Sequence, residues 1–155
     1  KLGRIVSAEF RWDRYNPYPA PGRWRDSAAP GAGVWYDLGV HFLDQALQLF
    51  GTPKTIRADI RTQREGVAAD DAFDVTLGYE NGLSVRLYSS LIVRTPGPRY
   101  RMSEKRVGRK NAICWLDTAS GSVQPGRVRI RCQSGFVAKA AQARVRAAMS
   151  SKATM

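Results

Sequence analysis

Strict alternation opens the chain. Over residues 4–15, apolar Val6, Ala8, Phe10 and Trp12 alternate with Ser7, Glu9, Arg11 and Asp13, the period of two expected of a strand with one buried face. Residues 16–33 lose the pattern and are rich in Pro, Gly, Asn and Ala around Trp24-Arg25. They predict a long ordered loop, and loops of that length inside compact domains are often functional. A different period follows. Leu38, Phe42, Ala46, Leu49 and Phe50, flanked by Leu43 and Leu47, recur at helical spacing, which predicts a helix over 37–50. Asp37 suits its N-cap, Gly51 its end, and Pro53 prevents continuation.

Three more alternating runs succeed the helix, at 55–62, 72–80 and 83–91, with Ile56, Ala58 and Ile60, then Phe73, Val75, Leu77 and Tyr79, then Leu83, Val85 and Leu87 each sharing a face. Asn81-Gly82 between the last two predicts a two-residue type I′ hairpin turn. Together these elements predict an α+β fold: an open, mostly antiparallel β-sheet with one main helix packed on one face. After Thr95-Pro96-Gly97-Pro98 the pattern decays. Short strands at 112–116 and 128–132 and a weakly striped helix at 136–149 are what remains to expect.

Charge sharpens that division. The net charge is +12, yet residues 1–100 carry 13 Lys/Arg against 11 Asp/Glu, and residues 101–155 carry 12 against 2. We therefore expect a domain over 1–100 and a basic, poorly specified C-terminal tail over 101–155. The jump also points to a change of reading frame near residue 103, which translation of the encoding DNA in the other frames would check. A nucleic-acid-binding tail is the rival reading. No aromatic interleaving or known motif accompanies the charge, so nucleic acid is not the expected partner. No apolar run approaches the roughly 18–20 residues that span a bilayer, so no membrane association and a cytoplasmic setting are expected. Two cysteines, Cys114 and Cys132, and a single histidine make no metal-ligand set; we expect two reduced thiols and no metal.

The chemistry concentrates at one place. His41 stands four residues after Asp37, beyond the glycine-rich Gly31-Ala32-Gly33 and beside Trp35 and Tyr36. On a helix, residues i and i+4 share a face, so Asp37 can orient the imidazole, whose unperturbed pKa of about 6.5 suits proton transfer near neutral pH. An N-cap for Asp37 and a solvated helix position for His41 are the bland alternatives. Gly31-Ala32-Gly33 is no dinucleotide fingerprint, since Tyr36 stands where the third glycine belongs and no strand precedes it.

The run from Gly31 to Asp44 fits G-x-G-x-x-x-D-x-G-x-H-x-x-D and resembles the Gfo/Idh/MocA oxidoreductases. The opening Leu2-Gly3-Arg4-Ile5-Val6, the Arg23-Trp24-Arg25 loop and the helix end Gln48-Leu49-Phe50-Gly51-Thr52-Pro53 match that family's C-terminal domain in the same order, over about residues 1–100. The resemblance implies a substrate-binding and catalytic half of an NAD(P)-dependent oxidoreductase. Its substrate would be the hydroxyl/carbonyl pair of a sugar, cyclitol or similar small polar molecule. Asp37 and His41 become the catalytic residues, and Trp24, Arg25 and Tyr36 weaker candidates for substrate contact. NAD(P) would be bound mainly by an N-terminal Rossmann domain, whose Lys-Pro motif supplies a further acid–base lysine. No Lys-Pro occurs here, so the isolated chain is expected to be inactive. Homo-oligomers paired through the open sheet face are expected too. A non-enzymatic dimerisation or scaffold domain, and nucleic-acid binding through the tail, are the alternatives.

Overall fold

The computed structural model describes residues 4–105, 112–117 and 129–132. Its strands are β1 (Arg4–Arg11), β2 (Thr55–Arg61), β3 (Ala72–Gly78), β4 (Ser84–Ser90), β5 (Tyr100–Lys105), β6 (Ala112–Asp117) and β7 (Arg129–Cys132); the helix α1 is Val40–Phe50. The strands form one open sheet in the order β2-β3-β4-β1-β5-β6-β7. Only β1 and β4 run parallel; the other neighbours are antiparallel. One main helix on an open, mostly antiparallel sheet is the expected α+β architecture.

Alternation decides the two faces. Phe10 of β1, Leu87 and Val85 of β4, and Phe73, Val75 and Leu77 of β3 share the face under α1 and are buried with Phe42 and Ala46 of the helix. Phe10 and Phe42 meet edge-on with ring centroids 6.3 Å apart, as do Phe42 and Phe73; such T-shaped pairs add to the burial of large apolar area. The opposite face carries Glu9, Arg11, Asp74 and Arg86, which are joined by ion pairs. Arg11 and Arg86 also stack on Tyr88 between them, 4.5 and 5.0 Å from its ring centroid.

Two local expectations are corrected. The helix does not begin at Asp37. A π-helical turn, Trp35–Gly39, precedes α1, and Asp37 makes no capping bond. The hairpin turn is not type I′, because no residue other than glycine has positive φ among the described residues. Instead the Gly82 N–H donates to the Tyr79 carbonyl at 3.0 Å and the Tyr79 N–H to Leu83 O at 3.0 Å. With Gly82 at φ 77°, this is a type I turn closed by a glycine bulge, which also accommodates strand twist. As expected, β2 is a strand with its alternation in register, Ile56 opposite Leu77 and Ile60 opposite Phe73, and all seven of its residues are exposed. It lies at one edge of the sheet, away from the core under α1.

The sheet continues past residue 100. β5 pairs with β1 over six residue pairs, beginning Arg4 with Lys105, while β6 and β7 lie where short strands were expected and bring Cys114 opposite Cys132. The expected helix at 136–149 lies outside the described residues. Among the described residues no helix is long and apolar enough to cross a membrane.

Candidate active site

The residues singled out from sequence gather around the start of the helix, and a buried support not visible in the local pattern holds them there. Asp70 and Asp71 immediately precede β3. The Asp70 carboxylate accepts the Trp35 N–H at 2.6 Å, and the Asp70 carbonyl accepts the Val34 N–H at 2.9 Å. Asp70 therefore does for the first helical turn what Asp37 was expected to do, satisfying an orphan donor and placing negative charge at the positive end of the helix. Gly33 makes room for it: a Cβ there would lie 2.0 Å from Asp70 Oδ1, and φ is +97°.

Asp71 is buried and accepts three hydrogen bonds, from the backbone N–H of Gln63 (2.7 Å) and from the N–H and Nε of Arg64 (both 2.9 Å). Arg64, itself 5 % exposed, donates its other arm to Asp26 Oδ1 at 2.6 Å and reaches the Asn16 carbonyl at 3.4 Å. One guanidinium thus ties the long loop at both Asn16 and Asp26 to the base of β3. The fork geometry of arginine suits two carboxylates at once, and charge-assisted bonds of this kind are the strong ones. The Ala68 N–H closes the same junction on Asp26 O at 3.1 Å.

On this support stands an exposed rim. Trp24 and Arg25 form part of a short 3-10 turn, Trp24–Asp26, and the Gly33 N–H donates to Arg25 O at 3.1 Å, binding that turn to the helix entry. Trp24 is 55 % exposed and Tyr36 59 %, so Trp24 is not a core residue. Arg25 pairs with Asp37 at 3.2 Å, lies 5.7 Å from the Trp24 ring centroid, and keeps its Nε buried without a hydrogen-bond partner among the described residues. His41 is exposed in the first turn of α1. Among the described residues no hydrogen bond joins Asp37 to His41; Asp37 is engaged by Arg25. The reason is geometric. The i, i+4 pairing presumes a regular 3.6-residue turn, whereas Asp37 sits in a π turn whose bond runs from the Val40 N–H to Trp35 O. Such widened turns recur at functional sites.

Sequence reasoning missed Asp26, Arg64, Asp70 and Asp71. Their contacts span 7 to 48 residues; the one local hint was an acidic doublet directly before an apolar strand. No group of three or more His, Cys, Asp or Glu among the described residues could hold a metal ion.

The sequence profile of the GFO/IDH/MocA C-terminal domain matches residues 1–104. The chain belongs to that family. Among similar proteins is scyllo-inositol 2-dehydrogenase (NADP(+)) IolW of Bacillus subtilis, 42 % identical over 104 residues, which are 67 % of this chain and 28 % of that protein. The uncharacterized oxidoreductase YdgJ of Escherichia coli is 36 % identical over 99 residues, covering 64 % of this chain and 28 % of that one. In three dimensions the chain resembles yvaA of Bacillus subtilis with a TM-score of 0.66 at 35 % identity, over 75 % of this chain and 31 % of that one. An oxidoreductase of Bacillus cereus gives a TM-score of 0.57 at 32 % identity over 74 % and 35 %. The chain thus spans about a third or less of the length of the relatives it matches first. Within this family, the described residues do not build a cradle for a dinucleotide pyrophosphate: Gly31 and Gly33 follow a loop, not a strand, and no strand–glycine turn–helix unit surrounds them.

Proposed function

We propose that residues 1–104 are the substrate-binding and catalytic half of an NAD(P)-dependent oxidoreductase acting on a hydroxyl/carbonyl pair of a sugar, cyclitol or similar polar molecule. A companion nucleotide-binding domain holds the NAD(P). The observation that carries this reading is the exposed His41 imidazole, without a partner among the described residues, on a rim whose backbone is fixed by the Arg64–Asp71–Asp26 cluster. The names of the relatives, scyllo-inositol 2-dehydrogenase (NADP(+)) among them, support it.

The cofactor, when bound, takes or gives the hydride. This chain's residues do the rest. Loss of hydride from a carbinol carbon requires the hydroxyl proton to leave as well, so a base must stand within hydrogen-bond reach of that oxygen. His41 is that base, and returns the proton in reduction. Asp37 fixes Arg25, whose guanidinium directs donors toward substrate hydroxyls. Trp24 and Tyr36 offer ring faces to the substrate's C–H surfaces and restrict water.

The experiment is a chimaera in which residues 1–104 replace the matching segment of Bacillus subtilis IolW. The expected result is NADP(H) turnover on a polyol by the chimaera and none by the isolated chain. A folded, cofactor-binding chimaera with no turnover on any polyol, sugar or cyclitol tested would contradict the assignment, as would turnover by the isolated chain.

A second reading concerns assembly. The face opposite α1 bears no helix among the described residues and presents the Glu9–Arg11–Asp74–Arg86 ladder with Tyr88 at its centre. We propose that two copies pair through it. A strictly monomeric chain by light scattering at high concentration counts against this.

A further inference from the structure

A second concentration of arginine lies where β1 and β4 end and β5 begins. Trp12, the residue after β1, donates its N–H to Tyr88 O at 3.1 Å and accepts the Ser89 hydroxyl at 2.5 Å, so its backbone is fixed. The Arg99 guanidinium lies 3.6 Å from the Trp12 ring centroid and 5.5 Å from that of Tyr100. Arg14 approaches the same indole at 5.4 Å. Among the described residues neither arginine has a carboxylate partner, and the Arg99 Nε is buried with no hydrogen-bond partner. Burial pushes the Arg99 guanidinium below its ordinary value; the Tyr100 hydroxyl offsets part of this and the Arg14 charge adds to it.

That arrangement is incomplete by itself. Arg99 is half-buried and Arg14 exposed; partial burial of a cation is costly unless it is paired, and like charges sharing one indole repel. Stacking on aromatic rings returns only part of the cost. Negative charge is what the site lacks. Its position is also informative. The Tyr100 hydroxyl hydrogen-bonds Gln45 Oε1 at 3.0 Å, and His41 precedes Gln45 by one helical turn on the same side of α1. The helix begins over this end of the sheet: Trp35 packs 5.2 Å from Phe73 at the start of β3, while Phe50 packs on Tyr79 beyond its end. His41 and Arg99 therefore share one side of α1 and one end of the sheet.

We propose that Arg99, with Arg14 beside it on Trp12, is an oxyanion subsite adjoining His41, and that the substrate carries a carboxylate or a phosphate besides its reacting hydroxyl. The word substrate rests on the function proposed above; binding of the oxyanion does not. The test titrates the full chain by calorimetry with gluconate, glucose 6-phosphate and scyllo-inositol, alongside thermal melts. At least one anion should bind, and scyllo-inositol at least about tenfold more weakly, since charge-assisted bonds to arginine are roughly twice as strong as neutral ones. The tighter of the two anions identifies the source of the charge. Arg99→Gln should weaken that anion by about tenfold or more and Arg99→Lys by less, because lysine keeps the charge without the fork. Arg14→Gln should give a smaller loss that fades at high salt. Unchanged affinity in Arg99→Gln, or equal binding of scyllo-inositol, overturns the proposal. Should Arg99→Gln melt early, Arg14→Gln decides, and no loss there overturns it. Arg99-dependent anion binding together with normal turnover of a His41→Gln chimaera would sink the catalytic reading alone. The reverse pair of results would sink the subsite alone.

Discussion

Two groups of polar residues meet at the start of α1 and differ in almost every physical respect. Arg64 and Asp71 are buried, the half-buried Asp26 is bonded to Arg64 through Oδ1, and Asp70 caps the first helical turn. Trp24, Tyr36 and His41 are exposed, and among the described residues no hydrogen bond or ion pair engages the His41 imidazole. The first group spends its hydrogen-bonding capacity inside the protein, whereas the second keeps it for something outside. A site needs both, since groups that act on a ligand must be held still by groups that do not.

The sharpest way to break this division is to remove Arg64. Arg64→Ala strands Asp71 and Asp26 in a buried setting, and breaking a buried pair typically costs about 3–5 kcal/mol; urea unfolding should register that loss. Asp70→Ala is next. It deprives the Trp35 N–H of its acceptor, and loss of a helix-start acceptor is worth about 0.5–2 kcal/mol, read by the same unfolding curve.

The open face offers an intermediate case. Hydrogen bonding from Arg86 holds the Asp74 carboxyl below its ordinary 3.8, against a smaller opposing effect of burial. A carboxyl lowered in the folded state contributes stability that is present above its unfolded value and lost as pH falls through the folded one. Because Arg86 is partly exposed, the pair should be worth no more than about 1 kcal/mol. Asp74→Asn should accordingly lower stability near neutral pH by up to about 1 kcal/mol and flatten the acid limb of the stability curve, with little change once pH falls below the folded value. The smallest effects belong to the rim. His41→Gln, Trp24→Ala and Tyr36→Ala should each shift stability by no more than about 0.5 kcal/mol, and a larger loss at any of them would place that residue with the support.

Much of this was legible in the chain. Alternation at Val6–Trp12 and at Phe73–Leu77, against helical spacing at Leu38–Phe50, prescribes a sheet with a helix on one face, because burial acts on local periodicity. The type I turn at Asn81-Gly82 was misread because the same dipeptide serves two hairpin geometries, and only the Tyr79 hydrogen bonds separate them. Ile56 and Ile60 alternate as a buried strand would, yet lie at an edge, and strand order is not written in a single strand. The rim residues were found because they are neighbours in sequence. The support was not, since Arg64 meets Asp26 across 38 residues, and no local pattern announces such a contact. Asp37 was expected to steer His41, but the π turn gives it to Arg25.

The account stands on His41 moving a proton. The most direct measurement is kcat of the IolW chimaera carrying His41→Gln, compared with the unsubstituted chimaera at matched thermal stability. The account predicts a fall of about 10²–10⁴-fold, the range expected on losing a general base, with the melting temperature unchanged. An unchanged kcat would contradict it.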